Sequence, residues 1–520
     1  MVYPMDKWDI IIIGAGNGGL AAAATAATAG KTVLVLEKHN VPGGFATSFV
    51  RGRFEFEASL HELCGFGKNE GEGGTRKLFD ELGISNRIAW ADVPEAYRVI
   101  STSSGNPVDA AMPFGVEAYI DKMEKYVPGS RPSMEKLFAL AKDVSDATAF
   151  MGTIEKYDFE VIKTILKEHL NFVRTAPYSV NDVLAALEVP KKAQDIFTAY
   201  WCYLGADCGN LSFIHYMSMV YSYLTLGAVV PKGRSHDMSL ALASVVEKNS
   251  GEIWYNSTVT KILSDGGKIT GVELADGKKV YSGHIICNCS PNTAYARLLD
   301  ADMVPQSALK RANARKFGAR GFNVFLGLNR SAQELGIKDY SVFIYGTSDS
   351  REQFRHMCDL DGNDGQATVC LNLADSDCSP EGTCILYMTS LFFDDVWAKV
   401  RPENYVKTKR AVAAKMIADY EAKTGVKIKE HIEEIEIAAP MTYARYTDAP
   451  QGTIYGYLAE DWDGVVPRTM MEDADNDIAG LRFAGGWGTQ LSGYSSAFTS
   501  GHDAAVQTIK DIEKEVGTNE

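Results

Sequence analysis

The chain has 520 residues, 46% hydrophobic and 23% charged, which is enough apolar material for a large core and excludes a disordered or fibrous class. Asp and Glu number 67 against 52 Lys and Arg, and the formal net charge of −15 argues against a nucleic-acid surface, which needs clustered cations. Nine cysteines fall without a CxxC pair or a paired ligand spacing, so no metal is expected and free thiols in a reducing, cytoplasmic setting are the simplest reading.

The N-terminal MVYPMDKWD lacks the apolar core of a signal peptide and runs straight into structure. Asp9 to Ile13 is an almost unbroken β-branched run, the pattern of a parallel strand buried on both faces. Gly14-Ala-Gly16-Asn-Gly18-Gly19 follows as a turn, Leu20 to Ala29 reads as a small-residue helix ended by Gly30, and Lys31 to Leu36 as a second buried strand. In this strand–turn–helix–strand setting the glycines match a dinucleotide fingerprint. Gly14 makes the turn, Gly16 lets backbone approach a pyrophosphate, and Gly19 lets helix and strand pack closely. Glu37, 23 residues after Gly14, stands where an acid accepts hydrogen bonds from a ribose. Without that context the same glycines would be an ordinary turn. Next, Gly43-Gly44 marks another tight turn, and Phe54 and Phe56 alternate with Glu55 and Glu57 in a short strand expected to reach His61.

From about 70 to 225 the pattern becomes helical, over Thr75 to Leu82, Val116 to Tyr126, Ser133 to Met151 and Tyr157 to Val173, with Ser179 and Asp182 placed to cap a further helix. Cys208 to Pro231 contains no formal charge, yet Asn210, His215 and several Ser and Tyr interrupt it. That favours a buried helix lining a pocket over a membrane span and leaves room for peripheral membrane contact. Met238 to Lys248 is a helix. Hairpins then turn at Asp265-Gly266-Gly267 and Asp276-Gly277, and Gly283 to Cys289 is a buried strand on which Cys287 and Cys289 are expected to face opposite ways. Between 300 and 475, Phe322 to Leu328, Tyr340 to Tyr345, Ala367 to Leu373 and Cys384 to Leu391 read as strands of one sheet, with Tyr405 to Thr424 a long helix. The C-terminus repeats strand, glycine turn and helix in Leu481 to Ala484, Gly485-Gly486 and Ser495 to Ile512.

These segments resemble the carotenoid (phytoene) desaturase, carotenoid isomerase and retinol saturase group of FAD-dependent oxidoreductases, relatives of the flavin amine oxidases. The resemblance covers nearly the whole chain. It is carried by GAGNGGL with VLVLEK, by VPGGFATSF, FEFEASLH and VPKGRSHDMSLALASVVEKNSGEI, by APMTYARYTDAPQGTIYG, and by LRFAGGWGTQLSGYSSAFTSG. It implies an α/β fold in which a Rossmann-like FAD-binding domain is assembled from 1–65, 232–300 and 476–520. A mixed antiparallel-sheet and helical substrate domain would span 66–231 and 301–475, with the helical part in 66–231.

By position, Gly14, Gly16 and Gly19 would hold the pyrophosphate of FAD, Glu37 with Lys38 the ribose side, and Gly43 and Gly44 the ribityl chain. Val259 would meet adenine through its backbone, and Gly485, Gly486, Trp487, Gly493 and Tyr494 would lie along the flavin. His61 is the nearest catalytic acid/base candidate, with a satisfied structural histidine as the alternative, and Tyr443, Arg445, Tyr455 and Tyr457 are secondary candidates near the substrate, Arg445 and Tyr455 foremost among them. Glu57 and Ser59 depart from the family's Asp and Gly. Arg234 replaces a glycine and is expected either to anchor an acidic substrate group or to form a salt bridge within the fold. The implied reaction is saturation, desaturation or isomerisation of a C=C bond in a long apolar molecule, with an unnamed electron donor or acceptor. Alternatives are a flavin amine oxidase and a non-catalytic flavin-containing lipid carrier.

Overall fold

The structure, a computed structural model, describes residues 8–102, 107–152, 154, 158–460, 477–488 and 493–517. The strand Ile10–Ile13 lies at the middle of a five-stranded parallel sheet, between Val33–Leu36 and Ile285–Cys287. Glu252–Trp254 extends the sheet on one side and Leu481–Phe483 on the other. Strand alternation distributes the apolar run over two cores. Ile10, Ile12, Val33 and Val35 face the helices, whereas Ile11, Ile13, Leu34 and Leu36 face the meander of Val259–Asp265, Lys268–Leu274 and Lys279–Tyr281. A strand covered on both sides needs apolar residues at every position, and that is why the sequence shows no polar face here.

The helix Asn17–Thr28 packs against His236–Lys248 and the long C-terminal helix Tyr494–Gly517. It starts three residues before the expected Leu20, because Gly18 and Gly19 belong to its first turn. Their lack of a side chain serves contact: a Cβ on Gly19 would strike the Gly14 carbonyl, one on Gly18 the Gly485 backbone, and one on Gly501 the Gly18 carbonyl. The remaining helix residues, mostly alanine, keep the layers close.

A second, seven-stranded sheet runs in the order Ile432–Ala438, Arg320–Leu328, Cys384–Phe392, Gln366–Cys370, Ser341–Tyr345, Tyr97–Ser101, Val108–Met112. Its neighbours are antiparallel except Ser341–Tyr345 with Tyr97–Ser101. Phe325, Phe343, Val369 and Tyr387 pack on the helical layer that includes Tyr200, Trp201 and Tyr216. Val324, Leu326, Leu386 and Met388 pack on Met416, Ile417 and Tyr420 of the helix Pro402–Thr424.

Several expectations change in detail. The 70–225 stretch is not purely helical: Tyr97–Ser101 and Val108–Met112 complete the large sheet, and Trp90–Asp92 pairs with Val229–Pro231. These strands were hidden because each is short, and Trp90–Asp92 and Tyr97–Ser101 find partners far along the chain. The edge strand Ile432–Ala438 was missed because Glu433, Glu434 and Glu436 interrupt its apolar pattern. The helix expected over 157–173 is two, Phe159–Glu168 and Leu170–Thr175, broken at His169. The strand after the Phe54 hairpin stops at Glu57, short of His61. Cys287 and Cys289 share a side, their sulfurs 2.7 Å apart, since positions two apart on a strand point the same way. Ser179 and Asp182 form the expected capping box, and Gly266 and Gly267 turn their hairpin with positive φ.

Replacing Gly501 by alanine should lower unfolding stability by about 1–3 kcal/mol, because the new methyl meets backbone that cannot yield. Gly517→Ala, at an open position of the same helix, should cause no loss. Urea unfolding of the two variants checks this, and equal midpoints would refute the packing argument.

Candidate functional site

The parallel sheet reverses its winding at Ile10–Ile13, and the crevice beyond the carboxyl end of that strand is where α/β sheets bind ligands. A continuous cavity of about 1050 Å³ opens there and extends to the large sheet. At its near end two glycine loops touch. Gly16 and Gly43 form a backbone bridge, and Gly43 N–H donates to Ala15 O at 2.7 Å. Asn288, just past the strand Ile285–Cys287, donates its N–H to Ile13 O at 2.9 Å and presents its amide to this loop pair. A Cβ on Gly16 would sit 2.7 Å from Asn288 Nδ2. Asn288 went unremarked in the sequence, where its one signal is its place at the end of a buried strand.

Glu37 is buried, its Oε2 accepting from Ala15 N–H at 2.7 Å and its Oε1 from His39 N–H at 2.8 Å. The carboxylate therefore ties the glycine loop to the exit of the second strand while lining the cavity. Lys38 and Arg297 each approach Asp448 at 3.8 Å on the same rim. Asn17, at the start of the helix, keeps a buried Oδ1 without a partner beside free backbone N–H groups. An open backbone cradle, a helix N-terminus, an acid and an unsatisfied amide oxygen together fit the polar groups of a dinucleotide.

Of the positions singled out in the sequence, Gly14, Gly16, Glu37, Lys38, Gly43, Gly44 and Val259 line this end. Gly485, Gly486, Trp487, Gly493 and Tyr494 line the wall next to it. Gly19 is withdrawn into the helix–strand contact. Within the closing motif, residues 489–492 lie outside those described. His61 and Tyr455 reach the cavity. Arg445 does not: it is exposed, its guanidinium 5.9 Å from the Tyr446 ring. On the helix Pro440–Thr447 it follows buried Tyr443 by two positions, about 200° around the axis, so one side chain points in and the other out. Tyr457 also lies off the cavity, bonded to Asn292 at 2.5 Å and stacked on Phe317.

Beyond the glycines the wall becomes a hydrogen-bonded row. Ser59 Oγ lies 2.8 Å from Tyr494 Oη, and both hydroxyls reach Phe45 O. His61 Nδ1 is 3.2 Å from Tyr203 Oη, and Nε2 is 2.7 Å from Thr389 Oγ1. Thr389 and its cross-strand partner Asn323 are joined at 2.6 Å, and Asn323 Oδ1 accepts from Tyr443 Oη at 2.5 Å. Glu62 lies beside His61, with Oε1 accepting from Tyr203 Oη at 3.3 Å. Burial lowers the His61 pKa to about 4 and raises that of Glu62 to about 8, so near neutral pH both are uncharged. Sequence reading passed over Glu62, since no motif attends it. The far end is mainly apolar and aromatic, with Met219 and Tyr223 of the helix Phe213–Leu226 beside Tyr345, Met357, Tyr387 and Leu391, and its polar groups are His215, Ser218 and Ser222 of the same helix with Gln366.

Glu57 and Arg234 hold the frame. Glu57 is buried and accepts from Ser235 N–H and Oγ and from the N–H groups of Ser59 and Leu60, while burial raises its pKa. Arg234, at φ +64°, donates to the carbonyls of Glu55, Lys232 and Cys378. Neither expected role for Arg234 is found: backbone carbonyls occupy its donors, and it is not part of the cavity wall. Among the described residues no cluster of three His, Cys, Asp or Glu could hold a metal, and no helix is long and apolar enough to cross a membrane.

The profile of the family described as flavin containing amine oxidoreductase matches residues 18–509. The chain is 26% identical to all-trans-retinol 13,14-reductase of Danio rerio, over 94% of this chain and 84% of that protein. It is 23% identical to prolycopene isomerase 2, chloroplastic, of an Oncidium hybrid cultivar, over 88% of this chain and 76% of that one. Its fold is similar to that of an oxidoreductase from Methanosarcina mazei, with TM-score 0.65, 16% identity, and coverage of 96% of this chain and 100% of the other.

His61 also has a measurable consequence for stability. Its folded pKa, about 4, lies below the ordinary 6.5, so in between the unfolded chain binds a proton that the folded one refuses. Stability should be fully retained above about 6.5 and decline as pH falls towards about 4. Comparison with His61→Gln by urea unfolding across that window isolates this part, and identical pH slopes in the two proteins would refute it.

Proposed function

The chain belongs to the flavin containing amine oxidoreductase family, and from that premise we propose an FAD-dependent oxidoreductase that saturates, desaturates or isomerises a C=C bond in a long apolar polyene, retinoid or unsaturated lipid. FAD is the cofactor, and when bound it supplies hydride and electron-pair transfer at its flavin ring. Gly14, Gly16 and the helix N-terminus are assigned to its pyrophosphate, with Gly19 letting that helix pack. Glu37 and Lys38 are assigned to the ribose side, Val259 to adenine, and Gly43 and Gly44 to the ribityl chain. Gly485, Gly486, Trp487, Gly493 and Tyr494 are assigned to the flavin. His61 and Tyr455 are assigned to the substrate side. In this reading 1–65, 232–300 and 476–520 form the cofactor domain, and 66–231 with 301–475 the substrate domain.

The observation that carries the reading is the continuity of the cavity. It leads from a polar cradle for a dinucleotide, past neutral His61, into a space walled by Met219, Tyr223, Tyr345, Met357 and Leu391. Such a wall repels charge and rewards apolar surface, at about 25 cal/mol per Å² buried. The chain's own groups then align a C=C bond against the flavin and keep water away. The names of the two enzyme relatives, a retinol reductase and a prolycopene isomerase, support a substrate of this class. An apolar substrate of this kind would be collected at a lipid surface. The helix Phe159–Glu168 offers one contact, with Phe159, Ile162 and Leu166 exposed beside Lys163 and Lys167.

Purified protein should be yellow and release FAD on denaturation. Gly16→Ala, which crowds Asn288, should stay folded and lose flavin. Anaerobic incubation with retinol, carotenoids and unsaturated fatty acids should change the double-bond pattern of at least one of them by mass spectrometry. A colourless protein that FAD cannot reconstitute would overturn the cofactor assignment. Peroxide release from amines, with every polyene untouched, would select an amine oxidase instead.

A further inference from the structure

Among the described residues lining the cavity three are carboxylates, Glu37, Glu62 and Asp448. Glu37 has two backbone N–H donors, and Asp448 has Lys38 and Arg297. Glu62 has neither. It is 6% exposed, its Oε1 accepts from Tyr203, its Oε2 makes no hydrogen bond, and the Tyr200 phenol is the other polar group that favours its charged form. Tyr203 stacks on Tyr200, which stacks on Tyr223, each pair at 5.1 Å, so this corner is walled by rings. A carboxylate with a bare oxygen in such surroundings is costly, whereas a neutral acid is stable there.

The neighbouring groups orient that acid. Its loop is pinned on both sides, by Glu57 on Ser235 and by Leu63 paired with Val229, and Tyr340 Oη donates to His61 O at 2.6 Å. Ionised Glu62 accepts from Tyr203 Oη across the 3.3 Å contact; protonated, it reverses that contact and donates to Tyr203 Oη, so that Tyr203 donates to His61 Nδ1 and His61 Nε2–H to Thr389 Oγ1. Every donor then has an acceptor, and a neutral His61 suits the row.

We propose, resting on the C=C reading above, that the reaction runs as a saturation, with Glu62 the proton reservoir and Tyr203 the group that delivers its proton to substrate. Saturation takes a hydride at one carbon, from the two-electron-reduced cofactor that an external two-electron reductant recharges, and a proton at the other. The Tyr203 O–H breaks as the C–H bond forms on the electron pair left by hydride attack. Glu62 O–H breaks as Tyr203 O–H re-forms, and the Glu62 carboxylate is reprotonated from solvent. An acid still protonated up to about pH 8 is available for this at neutral pH, which unshifted glutamate is not.

The test is infrared difference spectroscopy on the FAD-loaded protein with Glu62→Gln as the reference, beside turnover of retinol, a carotenoid and an unsaturated fatty acid under reducing conditions. Wild type should show a carboxylic-acid C=O band that shifts in D₂O, fades as pH rises through about 8 and is missing in E62Q. Saturation should fall above the same pH and drop at least about a hundredfold in E62Q. Tyr203→Phe, which keeps the acid and the ring packing, should lose as much rate while retaining the band and its FAD. A wild-type protein without that band at neutral pH overturns the proposal whatever the turnover. So does wild-type saturation by both variants. If no polyene is saturated while the band persists, the saturation proposal is overturned although Glu62 is the acid described, and the C=C reading falls as well only if none of the three substrates is desaturated or isomerised either.

Discussion

Gly18 meets Gly485 and Gly501 at backbone distance, and through that contact the first helix and the closing segment, nearly the whole chain apart, share one face. The first helix cannot sit against the sheet unless Gly19 clears the Gly14 carbonyl, and the closing segment cannot reach the helix start unless Gly18 is bare. Everything at the near end of the cavity depends on this closeness. It brings the free N–H groups of the helix, the loop of Gly43 and the amide of Asn288 around one space that only small or flat polar groups can enter.

A second constraint is electrostatic. Buried charge is tolerated only where donors are supplied, and the molecule supplies them selectively. Glu57 receives four hydrogen bonds and Arg234 spends its guanidinium on three carbonyls, so both serve to lock the 54–60 and 231–235 segments together. His61 and Glu62, held between those locks, receive no such compensation. Burial drives them to their neutral forms, leaving the middle of the cavity rich in hydrogen bonds but free of net charge. A polar cradle, a neutral hinge and an apolar end follow one another along a single space.

How the seven-stranded sheet was assembled shows why part of this was unreadable. Arg320–Leu328 and Cys384–Phe392 are long and apolar on both faces, and sequence reading found them. Tyr97–Ser101 and Val108–Met112 are five residues each, set among helices, and Tyr97–Ser101 finds its inner partner some 240 residues on at Ser341–Tyr345. Local periodicity carries no information about such a pairing. The same limit applied to the site. Arg445 and Tyr443 stand in one motif, yet helical geometry sends them to opposite sides. Glu62 belongs to no motif and owes its character wholly to the tyrosines folded over it.

By itself, therefore, the sequence determined what is local and covalently near: the buried strands, the glycine turn, the acid at Glu37, the uncharged stretch of 208–231 and the class of cofactor. Spacing along the chain is enough for these, because strand, turn and helix follow one another within thirty or so residues. The tertiary structure decided what depends on distance through space. It set which glycines touch, which side chains reach the cavity, and which of the three carboxylates among its described lining residues lacks a backbone or cationic partner. Those properties arise from burial and from neighbours hundreds of residues apart, and the free energy of a buried group is fixed by its surroundings rather than by its place in the chain.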